Sequence, residues 1–241
     1  DKTTSCQLDD TVTPKQFLKS VENRNPSCLV KINPNLLPEG KWKVWANLIK
    51  ADANFALGDF ETGLSILEKI SESPGKLYVE AKFEFSNGNY EIAIKKLLQG
   101  VEEADVKASF YSLLGEIEQA KGNSSLALIY YKKANNFDPY WQKPLLKISQ
   151  IELSNGNYDF ALYALKLAEK IGGKTNSLAS GKAQYFSYRY QLVDARDEAT
   201  SILQTDPNQF DILVALGIVE LKAGNHQEAL DFFTQALAIE P

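Results

Sequence analysis

The chain has 241 residues, 44% of them hydrophobic, enough for a substantial core in one solenoid or in one or two globular domains. Its 26 Lys and Arg face 31 Asp and Glu, a net charge of −5, which argues against phosphate-driven nucleic-acid binding and against a polybasic membrane anchor. No apolar run approaches the roughly 20 residues that a membrane-spanning helix needs.

Residues 1–12 are polar and read as loose. Thr13-Pro14-Lys15-Gln16 starts a short helix: Thr13 can cap it, Pro14 suits the first helical position and Gln16 can close a capping box. Phe17, Leu18 and Val21 give that helix an apolar stripe, and Asn23-Arg24-Asn25-Pro26 ends it. Pro26, Pro34 and Pro38 make 26–40 an ordered but irregular connector. Both cysteines, Cys6 and Cys28, lie in this leader with 21 residues between them. A disulfide over a loop of that length is worth roughly 3 kcal/mol in the chain-entropy model. It would imply an oxidising, extracytoplasmic compartment, periplasmic or secreted, whereas two unpaired thiols would leave the cytoplasm open. The leader, 1–43, is expected to lie against the rest of the chain as an N-terminal cap. With no methionine in the chain, a preceding stretch is expected to have been removed.

From residue 44 on, the chain repeats. Stepping back from Gly224 in units of 34 lands on Tyr190, Gly156, Gly122 and Gly88, and a shorter step of 30 reaches Gly58. Five residues past these positions stand Ala229, Ala195, Ala161, Ala127, Ala93 and Gly63. Each unit holds two apolar stripes at helical spacing, such as Leu213, Leu216, Val219 and then Leu230, Phe233, Leu237. Between them Gly-Asn or Gly-Asp supplies a turn, glycine tolerating positive φ and asparagine offering hydrogen bonds to the turn backbone. Small residues at fixed positions (Gly115, Gly217, Ala134, Ala236) allow close helix approach. One such hairpin cannot bury its outer faces, so the units must stack. The expected units are 44–73, 74–107, 108–141, 142–175, 176–209 and 210–241.

Tyr111-Ser112-Leu113-Leu114-Gly115, Ala127, Tyr131, Ala134 and Pro139, with Leu213, Leu216, Gly217, Ala229, Phe233, Ala236 and Pro241, closely resemble the tetratricopeptide repeat. The resemblance covers about 44–241 and implies an all-α, right-handed solenoid of about six helix-turn-helix repeats behind a short N-terminal capping segment. It also implies a non-catalytic scaffold that binds a peptide or partner subunit in a concave groove, with no cofactor, no metal and no nucleic acid. First-helix positions of the family that line this groove fall here on Tyr78, Lys82, Ser112, Glu116, Gln119, Lys143, Lys147, Gln150, Gln184 and Tyr188. Lys143 and Lys147 share a spacing with the family's clamp for chaperone tails, but Tyr78 and Leu113 replace its polar residues, which disfavours that partner.

Other features are weighed on their chemistry. The only histidine, His226, lies in the turn of the last unit, where the family often has an aromatic, and is expected to pack; one histidine there builds no catalytic triad. Gly172-Gly173-Lys174-Thr175 has the tail of a phosphate loop, but Ala168 stands where its first glycine belongs and a helix precedes it. Glu84, Glu118, Glu152 and Glu220 recur at one position and are expected to be half-buried partners of a Lys, a Tyr or the backbone. A bridging cation is disfavoured, since helices pack roughly 8–10 Å apart whereas calcium needs oxygens at about 2.3–2.6 Å. The segment 185–190 places aromatics too closely for one helix face, so some must be exposed, which makes it a candidate contact patch. Leu230, Phe233 and Leu237 have no helix after them, which suggests continuation of the chain or self-association through this repeat. Two readings stand behind the scaffold: an assembly module, and an accessory factor handing over a ligand or metal.

Overall fold

A computed structural model describes residues 26–31, 33–37, 40–204 and 209–239, which form helices and short turns with no strand among them. A single helical turn, α1 (Pro26–Leu29), and a 3-10 turn (Pro34–Leu36) precede twelve longer helices. These follow one another as helix–turn–helix pairs: α2 (Lys41–Ala56) and α3 (Phe60–Glu68), α4 (Pro74–Ser86) and α5 (Tyr90–Gly100), α6 (Lys107–Ala120) and α7 (Ser124–Phe137). The series continues with α8 (Gln142–Ser154) and α9 (Tyr158–Gly172), α10 (Asn176–Tyr188) and α11 (Leu192–Leu203), α12 (Phe210–Ala223) and α13 (His226–Ile239). The described residues fall into two compact units, one up to Ile117 and one from Glu118, the division lying within α6.

In the first unit the connector is more regular than its prolines suggest. Pro26 and Pro34 each open a helical turn, and the Asn33 side chain accepts a hydrogen bond from the Asn35 amide at 3.1 Å. Both turns pack on α2. The expected helix over 13–21 and the pairing of Cys6 with Cys28 lie outside the described residues. The core joins Leu48 and Ala51 of α2, Leu67 of α3, Ile70 just after that helix, and Val79 of α4. Phe55 stacks on Phe83 at 4.4 Å between ring centres, which ties α2 to α4.

In the second unit each lead helix packs on its own partner and on the next lead helix, α8 on α10 and α10 on α12. One core joins Leu145 and Leu153 of α8, Leu165 of α9, and Leu178 and Tyr185 of α10; a second joins Ala183, Ala199, Ile212 and Leu216. The small residues act as the spacing suggested. Ala93, Ala127, Ala161 and Ala195 are fully buried, and a Cβ at Gly217 would overlap the Phe233 ring.

The turns share one backbone path. Gly58, Gly88, Gly122, Gly156 and Gly224 all have φ between 76° and 83°. The amide one residue later donates to the carbonyl five residues back, as in Asn123 to Glu118 and Asn157 to Glu152, each at 2.8 Å. Tyr190, where a glycine is missing, keeps the same path: its φ is +57° and the Gln191 amide donates to the Phe186 carbonyl at 2.9 Å. The stacked helices on either side over-determine the turn, so a residue disfavoured in this conformation by about 1–2 kcal/mol is held there. Tyr190→Gly is therefore expected to stabilise the chain by about 0.5–1 kcal/mol, the strain relief exceeding the entropy cost of glycine, and to raise Tm by a few degrees in a thermal melt.

The asparagines of these turns differ from expectation. Asn89, Asn123 and Asn157 make no side-chain bond to the helix that comes after them. Their amides, with that of Asn225, reach back to Glu84, Glu118, Glu152 and Glu220 at 2.6–2.8 Å. In the left-handed turn the amide of Asn lies over the preceding carboxylate. Asp59 of the first hairpin, facing Asn54 rather than Glu, does cap its helix, accepting from the Thr62 amide at 3.1 Å.

Candidate functional site

The glutamate ladder is part of the scaffold. Glu118, Glu152 and Glu220 are buried, each holding its turn asparagine and a cation: Lys121 at 3.5 Å, Lys132 at 3.3 Å and Arg196 at 2.6 Å respectively. The hydrogen bonds of Arg196 outweigh burial and, with that of Asn225, hold the Glu220 carboxyl below its ordinary pKa. The signal for this lock, Glu-x-x-x-Gly-Asn, stands four times in the sequence, but its glutamate and asparagine carry separate expectations when each is taken by residue type alone. Among the described residues no three His, Cys, Asp or Glu side chains converge as metal ligands.

The residues selected on the lead helices divide sharply. In the first unit Lys82 is paired with Asp52 at 2.6 Å. Ser112 is buried, its hydroxyl 3.4 Å from Glu116 Oε1, and so is not an exposed groove residue: the close packing of α6 covers it. The Tyr78 ring packs against Phe110 at 5.1 Å, and burial first, then the carboxylates of Glu116 and Asp52, push its hydroxyl above the usual tyrosine range. These five polar groups are thus engaged with one another or with the core.

In the second unit Gln119 accepts from the Tyr131 hydroxyl at 3.0 Å. Lys143, Gln150 and Tyr188 are exposed, while Lys147 and Gln184 are half-buried. Counted from the starts of α8 and α10, they occupy positions 2, 6, 9 and 13. At about 100° per residue these positions share one stripe of a helix, and α8 and α10 pack side by side. The third lead helix, α12, adds Lys222, at position 13, to the same stripe. Its Nζ lies 4.3 Å from the Tyr188 ring centre and 5.4 Å from that of Tyr190, and donates to the Ser187 carbonyl at 3.1 Å. Burial lowers the pKa of this lysine.

The aromatic segment splits as its spacing required. Tyr185 and Ser187 are buried, and Tyr188 and Tyr190 are exposed by 39% and 75%. Two other expectations have clear outcomes. His226 is exposed at the start of α13 rather than packed, because the side chains that fill the hairpin interior come from the next turn, at Ala229. Thr175 is a helix cap whose hydroxyl accepts from the Leu178 amide at 3.2 Å and donates to Gln142, so the Gly-Gly-Lys-Thr stretch closes one hairpin and opens the next. A cleft of about 380 Å³ in the first unit, lined by Asn47, Lys50, Glu61 and Lys69 among others, holds none of the candidate groove residues.

A family model described as tetratricopeptide repeat matches residues 182–241, where α10 to α13 form two stacked hairpins with the family's turn and small residues. Over these residues the chain matches the tetratricopeptide repeat. Solved structures carry the same fold over nearly all of the chain. A tetratricopeptide repeat protein of Parabacteroides merdae ATCC 43184 aligns at TM-score 0.66 and 14% identity, over 95% of this chain and 87% of that one. The APC/C hetero-tetramer Cut9-Hcn1 aligns at TM-score 0.70 and 16% identity, over 95% of this chain and 46% of that one. A curated relative, the protein CTR9 homolog of Arabidopsis thaliana, is 27% identical over 237 residues, which is 80% of this chain but only 20% of the relative's own length. No helix among the described residues is long and apolar enough to cross a membrane.

Proposed function

We propose that this chain is a non-catalytic scaffold that holds a peptide or a partner subunit on the lead-helix stripe of its second unit. One observation carries the reading: Lys143, Gln150 and Tyr188 of that stripe are exposed, whereas the first unit's Tyr78, Lys82 and Glu116 are half-buried and its Ser112 is buried. Repeat folds of this class bind protein partners, and one structurally similar chain sits in a hetero-tetramer. Affinity capture with the immobilised chain tests it, alongside Lys143→Glu/Gln184→Ala. A partner retained by the native chain and lost by the variant is the expected result; equal retention by both moves the site off the stripe.

The assembly reading has its own support, since Leu230 and Leu237 on α13 are 58% and 62% exposed. A molar mass from light scattering that stays monomeric over a hundredfold range of concentration would remove it. An extracytoplasmic location rests on Cys6 and Cys28 alone. Thiol labelling of the native protein is expected to modify neither cysteine before reduction and both after it; labelling without reductant would return the cytoplasm as its compartment.

A further inference from the structure

We infer that Lys222, held between Tyr188 and Tyr190 in the second unit, anchors a carboxylate side chain of an acidic partner segment. This deepens the scaffold role proposed above and rests on it. Three observations converge. The first is the strain at Tyr190. Every other turn of this type has glycine at that position, and this one keeps a bulky residue at φ +57° with a ring that is 75% exposed. A ring that buries so little adds little to the fold, so its position over Lys222 is what the strained backbone secures.

The second is the state of Lys222. Among the described residues it has no carboxylate partner: its ammonium contacts two ring faces and one carbonyl, and it is partly desolvated. Other charges of this unit that are buried or half-buried do find opposite charges, Lys182 in Glu169 and Glu198, and Glu220 in Arg196. An ammonium pre-positioned by two rings loses little side-chain freedom when it meets an anion.

The third is the sign of the surface. The whole chain is acidic at −5, yet the stripe on α8, α10 and α12 carries Lys143, Lys147 and Lys222. The described carboxylates of these three helices, Glu152 and Glu220, are buried and already paired. Asp211, at position 2 of α12, falls on the same stripe three turns from Lys222, which leaves the stripe with three lysines to one carboxylate. A cationic strip flanked by tyrosine rings fits a segment with Asp or Glu beside apolar or aromatic residues.

The test is fluorescence anisotropy of the full chain with a labelled ten-residue Glu-rich peptide containing one Phe, and with its Lys-rich counterpart. The acidic peptide is expected to bind, more weakly as salt rises, and the basic one not. Lys222→Gln should weaken binding about tenfold, the loss of one charge-assisted hydrogen bond. Tyr190→Gly should weaken it roughly threefold or more although that variant melts higher, which separates lost binding from lost folding. Lys166→Gln, an exposed lysine of α9, should leave binding unchanged. Equal binding of both peptides, or an acidic-peptide affinity unchanged in Lys222→Gln and Tyr190→Gly, overturns the anchor. A protein partner captured by the native chain while the Glu-rich peptide fails to bind likewise overturns the anchor and leaves the scaffold role standing.

Discussion

Tyr131→Ala is expected to destabilise the second unit by about 3–5 kcal/mol, the range for removing a large, fully buried aromatic. Tyr131 has no exposed surface, and it packs with Ala127, Ile148, Ile151 and Ala164, so it joins α7 to both helices of the next hairpin. Alanine would leave a cavity that four helical neighbours, fixed by their own turns, cannot collapse to fill. The hydroxyl contributes much less. Its acceptor, Gln119, is only half-buried and can turn to water, so Tyr131→Phe should cost less than about 1 kcal/mol. Urea titration of the three proteins checks this, and similar midpoints for the Ala and Phe variants would show that the hydrogen bond, not the ring, is what matters.

Arg196→Ala should be the next most damaging change, at about 2–3 kcal/mol. Its Nε and Nη2 donate to the two Glu220 oxygens at 2.6 and 2.7 Å, and without them a buried carboxylate keeps only Asn225. Breaking a fully buried pair costs about 3–5 kcal/mol, and the arginine's 40% exposure scales that down. Glu220→Ala should cost less, about 1 kcal/mol, because the guanidinium left behind can extend into water. The pair also fixes a pH dependence. Glu220 has a folded pKa below its unfolded value, so it binds fewer protons folded than unfolded near that range. Its contribution is fully present above the unfolded carboxylate value of about 4.3 and is lost as pH falls through the folded one. The stability gap between the native chain and Arg196→Ala should thus be widest near neutral pH and narrow below about pH 4. A gap that stays constant from pH 7 to pH 3 would exclude Glu220 as its source.

How much of the fold is legible in the chain depends on the range of each interaction. Turn glycines, the alanine five residues on and the paired apolar stripes are local patterns, each enforced by backbone sterics or helix contact, and they place the hairpins directly. Tyr190 interrupts the pattern without interrupting the fold, because the neighbouring helices impose its left-handed backbone. The Glu-to-Asn lock also lies within six residues and is legible in principle; the expectation that Asn bonds the turn backbone conceals it.

The sequence by itself therefore determined the repeat, its turns and which helix leads each hairpin, because those depend on residues within one turn or one hairpin of each other. Only the tertiary structure decided which polar side chains of the lead helices are spoken for. Lys82 meets Asp52 thirty residues away, Glu220 meets Arg196 twenty-four away, and Lys222 meets two tyrosines from the preceding hairpin. Such pairings are set by how neighbouring hairpins pack against each other, and no single hairpin's sequence encodes which of its charges its neighbour will neutralise.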